Sequence, residues 1–98
     1  MALFESVGDG LYIDGKKVIK GWESFGGWYW FATEKADTQD SVLPSGKVIE
    51  NDTLWFGFVQ GFEEEWGCWS EGELSELIKQ GKLWEIPRQN LSYSGRRR

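Results

Sequence analysis

Apolar positions along this chain alternate with a period of two in several short runs and change to a helical period once, after residue 70. In residues 10–20, GLYIDGKKVIK, two short β-prone runs flank Asp14-Gly15, a pair that favours the type I′ turn of a hairpin. A two-residue loop sets Ile13 opposite Lys16, Tyr12 opposite Lys17 and Leu11 opposite Val18, with Leu11, Ile13 and Val18 facing inward. Gly26-Gly27 then punctuates the chain before a second strand at 27–34, where Trp28, Trp30 and Ala32 point one way and Tyr29, Phe31 and Thr33 the other. Residues 35–52 are polar, contain Pro44 and Gly46, and are expected to form a long loop with at most a short strand at 47–49.

Residues 53–61, TLWFGFVQG, form the strongest strand pattern. Leu54, Phe56 and Phe58 share one face and Trp55 and Val59 the other, as in a strand covered on both sides. Gly57 and Gly61 allow a bulge or a close backbone approach. Glu63, Glu64 and Glu65 make an acidic turn, and Trp66–Trp69 returns as a short strand. Ser70-Glu71-Gly72-Glu73 fits the capping box S-x-x-E. A helix over about 71–80 follows, with Leu74, Leu77 and Ile78 on one face and Gly81 at its C-terminal stop. Residues 83–86 add an edge strand before Pro87. These elements predict an α+β fold: an antiparallel sheet of about five strands with one helix on a face. Residues 1–90 are expected to form a single domain and 91–98 a flexible basic tail.

Composition sharpens this picture. Ninety-eight residues carry seven Trp, six Phe, three Tyr and no His. So many rings exceed what a short chain easily hides, so a groove or interface lined by some of them is expected. Without histidine the chain lacks the usual general base near neutral pH and the commonest metal ligand. The net charge is −5, and without Arg96, Arg97 and Arg98 eight basic residues stand against sixteen acidic ones, or −8. Such a body repels nucleic acid and suits a basic protein surface. No apolar run is long enough for a bilayer, no leader pattern opens the chain, and Cys68 is a single cysteine, so a reducing cytoplasm is the expected setting.

Residues 28–34, WYWFATE, and 56–74, FGFVQGFEEEWGCWSEGEL, together resemble the small domain DUF2958 of bacteria, phages and mobile elements. The matching positions are Trp28, Trp30, Thr33, Glu34, Phe56, Gly57, Val59, Gly61, Glu65, Gly67, Trp69, Ser70, Glu73 and Leu74. Cys68 stands where that domain usually has tyrosine, and the N-terminal hairpin and Pro44 loop have no counterpart in it. The resemblance implies a phage or mobile-element setting inside a bacterial host cell and carries no reaction and no catalytic residue.

Candidate chemistry is sparse. Cys68 has acidic sequence neighbours and no histidine in the chain to activate it, which favours a structural role. Consecutive Glu63, Glu64 and Glu65 splay their side chains, whereas acid/base or metal chemistry needs convergence. Neither a phosphate loop nor a dinucleotide fingerprint is present. No metal, cofactor or catalytic group is expected.

The candidate binding residues are Trp28, Trp30, Glu34, Glu63, Glu64, Glu65, Trp66 and Trp69; the four tryptophans flank one region of sheet, and at least two of them are expected to form an exposed aromatic platform. The leading expectation is a non-enzymatic binding protein that blocks a host factor with a basic surface, in keeping with an anti-phage defence target. One alternative is an aromatic pocket sequestering a nucleotide-like small molecule, with Lys16, Lys17, Lys20, Lys35 or Lys47 meeting its phosphates. A second is a small enzyme using Glu34 or Glu63–Glu65. A homodimer through an uncovered edge strand is also open.

Overall fold

The computed structural model describes residues 3–8 and 10–87, so the tail expected at 91–98 lies outside the described residues. Among the described residues, eight strands and one helix follow in the order β1 Phe4–Val7, β2 Gly10–Ile13, β3 Lys16–Lys17, β4 Lys20–Ser24, β5 Tyr29–Val42, β6 Val48–Gln60, β7 Glu64–Ser70, α1 Glu71–Lys79 and β8 Leu83–Glu85. Strands β1-β2-β3 form a small antiparallel sheet. The main sheet is five-stranded and antiparallel, in the order β7-β6-β5-β4-β8.

The main sheet is the middle of three layers. On one face, Tyr29, Phe31, Phe58 and Ile86 meet Leu11, Ile13 and Val18 of the N-terminal hairpin, with Phe4 and Trp66 packed alongside. On the other, Trp22, Ala32, Trp69 and Leu83 meet Leu74 of α1, with Trp30, Trp55, Val59 and Leu77 partly buried around them. Period two in the strands and 3.6 in the helix therefore account for the layering. The Asp14-Gly15 turn has both residues at positive φ, 51° and 80°, as a type I′ turn requires. Its register pairs Ile13 with Lys16 and Tyr12 with Lys17. Ile78 stays on the exposed side of α1, because the buried stripe narrows to Leu74 and Leu77.

The polar stretch 35–52 is no loop. β5 runs on to Val42 and β6 starts at Val48, leaving only residues 43–47 as a turn. Register shifts between Ala32 and Glu34, Lys35 and Asp37, and Gln39 and Ser41 interrupt the ladder, and such bulges bend and twist a ribbon. The hairpin tip is brought onto α1: Leu43 is buried, and Lys47 Nζ lies 3.6 Å from Glu76 Oε2. Alternating apolar residues are missing from this arm because neither of its faces is covered like the sheet centre, so composition mimics a loop.

The helix start is held by a residue from that same arm. Ser70 is the N-cap, its Oγ accepting the Glu73 amide at 3.1 Å. Ser70 Oγ also donates to Asp52 Oδ2, and the Gly72 amide donates to Asp52 Oδ1 at 2.8 Å. The C-terminus closes in a Schellman motif, with Gly81 at φ 75°, Gly81 N donating to Ile78 O at 2.9 Å and Lys82 N to Leu77 O at 2.9 Å.

Candidate functional site

Three connections meet at one end of the main sheet. Tyr29 opposite Gln60, and Gln60 opposite Glu64, place the β4–β5 and β6–β7 turns side by side, and β8 begins there with Leu83 opposite Ser24. Two phenylalanines in these turns face solvent, Phe25 at 78% and Phe62 at 94% exposure. Phe62 stands edge-on to Trp28 at 5.4 Å, Trp28 lies 6.0 Å from Trp30, and Phe25 stands edge-on to Trp84 at 5.1 Å.

Glycine seats this cluster. A Cβ on Gly61 would lie 2.5 Å from the Trp28 ring, so the indole can rest on that backbone only because the side chain is missing. The Ser24 hydroxyl accepts the Trp28 amide at 3.1 Å, and Gly27 takes φ 86° in the turn between them. Gly61→Ala is therefore expected to displace Trp28 at a cost of about 1–3 kcal/mol. Near-UV circular dichroism should change in its tryptophan bands while far-UV signal is kept.

The expected binding residues do not all gather. Trp28 and Trp30 share the helix side of the sheet, and Glu65 lies in the Trp30–Val59–Glu65 row on that side. Trp69 is on the same side but is a core residue, 8% exposed and edge-on to Trp22 at 5.9 Å. Trp66, three residues earlier in one strand, alternates to the opposite face. There it stacks on Phe56 at 5.9 Å, and Lys16 Nζ sits 5.2 Å over its ring. The four tryptophans thus fall on two faces, with Trp28 and Trp30 together at 6.0 Å. Glu34 also leaves the Trp28 side: the bulge after Ala32 sets it opposite Phe56, and a slip of one residue exchanges faces.

The acidic turn stays splayed. Glu64 Oε2 accepts from Gln60 Nε2 at 3.0 Å on one face, and Glu65 lies on the other. Among the described residues no three Asp, Glu or Cys side chains converge as a metal ion would require. Phe25, Phe62 and Trp84 were not among the residues expected from sequence, although Phe25 and Phe62, each beside a turn glycine, have no strand to carry them into a core.

Several lysines are engaged away from this end. Lys20 Nζ donates to Glu71 Oε1 at 3.0 Å, lies 3.8 Å from Glu85 Oε1, and sits over Trp22 and Trp55 at 5.3 and 5.6 Å. Trp55 Nε1 donates to the same Glu71 oxygen at 3.0 Å. Lys47 and Lys79 both approach Glu76. Among the described residues no helix is long and apolar enough to cross a membrane. No protein family, no curated protein and no solved structure matches the chain.

Proposed function

We propose that this chain is a non-enzymatic binding protein whose contact surface is the aromatic end of the main sheet, and that its partner is a protein with a basic surface. The observation that carries this reading is the exposure of Phe25 and Phe62 beside the Glu63–Glu65 turn. Solvated rings of this kind add little to the fold, yet they are the side chains that anchor interfaces once desolvated. The carboxylates around them speed encounter with a cationic surface and disfavour acidic partners such as nucleic acid. The resemblance to DUF2958 extends the proposal to a host factor inside a bacterial cell, with an anti-phage defence protein as the target.

The nucleotide-sequestering alternative is the weaker one. Trp28 and Trp30 have centroids only 6.0 Å apart and are tilted by 32°, too close to hold a base between them. The neighbouring carboxylates oppose phosphate, and Lys16, Lys20 and Lys47 are committed elsewhere.

Replacing both rings, Phe25→Ala with Phe62→Ala, tests the proposal. Because both are exposed, each substitution is expected to alter stability by no more than about 0.5 kcal/mol. Affinity for a protein captured from bacterial lysate should fall about 10- to 100-fold, as loss of two anchors implies. Raising salt should weaken capture by the wild type as well. Equal affinity of the folded double variant for the same protein would refute the assignment.

A further inference from the structure

The main sheet has two edges, and they are guarded differently. β8 is three residues long, too short to template another strand. β7 is seven residues long and, among the described residues, has no strand on its outer side. Its ladder to β6 runs from Gln60–Glu64 to Leu54–Ser70 without a register shift, unlike the thrice-broken ladder between β5 and β6. It also carries no Lys and no Pro, the usual protection of an exposed edge. Midway along it, a Cβ on Gly67 would meet nothing within 4 Å, so a neighbouring strand's side chain has room there.

The two ends of this edge are acidic. Glu63, Glu64 and Glu65 stand at its start. At its Ser70 end lies a cavity of about 290 Å³ whose lining includes Asp40, Glu73, Gln39, Ser41, Cys68 and Trp69. Asp40 Oδ1 accepts the Asn51 amide at 3.0 Å. Trp69 is more than nine-tenths buried, and its Nε1 is the buried side-chain polar atom with no hydrogen-bond partner among the described residues.

We infer that the β7 edge takes up an extended, basic segment of the protein partner as an added strand, with one of its Lys or Arg side chains in the cavity beside Asp40 and Glu73. The inference rests on the reading that the partner is a basic protein, and it specifies how that partner is held. Main-chain pairing along an open edge supplies affinity and alternate side chains supply selectivity. A second copy of this chain is a poorer occupant, because it brings the same carboxylates to an already acidic edge.

The test uses the full chain and two capped eight-residue peptides, one alternating Lys with Val and one alternating Glu with Val. The Lys–Val peptide is expected to bind and to slow amide hydrogen exchange at residues 64–68, and the Glu–Val peptide to do neither. Methylating alternate backbone nitrogens of the Lys–Val peptide should weaken binding at least tenfold, since it removes strand pairing and leaves the charges. The variant Asp40→Asn with Glu73→Gln should weaken the unmodified peptide about tenfold and leave the fold intact. Protection elsewhere, equal binding of the methylated peptide, or concentration-dependent dimers that protect β7 without peptide would each overturn the inference. If a protein captured from lysate depends on Phe25 and Phe62 yet leaves residues 64–68 unprotected in the complex, the edge inference fails while the aromatic contact surface stands.

Discussion

Gly57→Ala is expected to lower stability by about 4 kcal/mol, a fall in Tm of roughly 16–32 °C for a domain of this size. The added Cβ would sit 1.9 Å from Phe31 O and 2.8 Å from Ala32 Cα. Both obstacles are backbone of the central strand β5, at the bulge that follows Ala32, so neither can swing aside as a side chain tip would. Relief requires moving β5 relative to β6, and those strands carry Phe31 and Phe58 in one core layer and Ala32 in the other. Gly67→Ala is the control. Gly67 is the register partner of Gly57 on β7, and its added methyl meets nothing within 4 Å. That variant should be unchanged or more stable by up to about 1 kcal/mol, because alanine restricts the unfolded chain. Urea denaturation of the pair decides the matter: similar midpoints for the two variants would show that crowding at Gly57 is not what demands glycine.

Asp52→Ala is expected to cost about 2–3 kcal/mol, through loss of the carboxylate that ties the arm to the helix start. Asp52 is 4% exposed, and its substitution leaves the Ser70 hydroxyl and the Gly72 amide without their acceptor. The arm and the cap are fitted to each other, since a Cβ on Gly72 would lie 2.8 Å from Asp52 Oδ2. Acid should expose the same linkage. Burial pushes the Asp52 pKa up, but hydrogen bonds from Ser70, Ser41, Gly72 and Thr53 outweigh it and hold the pKa below the ordinary carboxylate value. A lowered folded pKa means stability that is fully present above the unfolded value of about 4 and lost as pH falls through the folded one. The stability gap between wild type and Asp52→Asn should therefore be widest above about pH 5 and narrow below pH 4. A gap that is constant from pH 7 to pH 2 would mean that the charge on Asp52 contributes nothing.

The aromatic end was only half legible from sequence. Trp28 and Trp30 stand out as alternating indoles, but Phe25 and Phe62 occupy turns, where no periodicity reports on exposure. Asp52 was hidden for a related reason: it lies in a polar stretch, and its burial depends on a helix that begins nineteen residues later.

What the chain by itself determined is local and periodic. Asp14-Gly15 specifies its hairpin and register, Ser70 and Gly81 bracket the helix, and alternation assigns Leu54, Phe56 and Phe58 to one face and Trp55 and Val59 to the other. Those features depend on backbone preferences and neighbours a few residues apart, which one sequence carries in full. Only the tertiary structure decided that 35–52 is a strand pair curled onto the helix, that Glu34 exchanges faces and that Trp66 parts from Trp28. Each follows from a bulge or a contact between distant segments, where one inserted residue reverses every face beyond it.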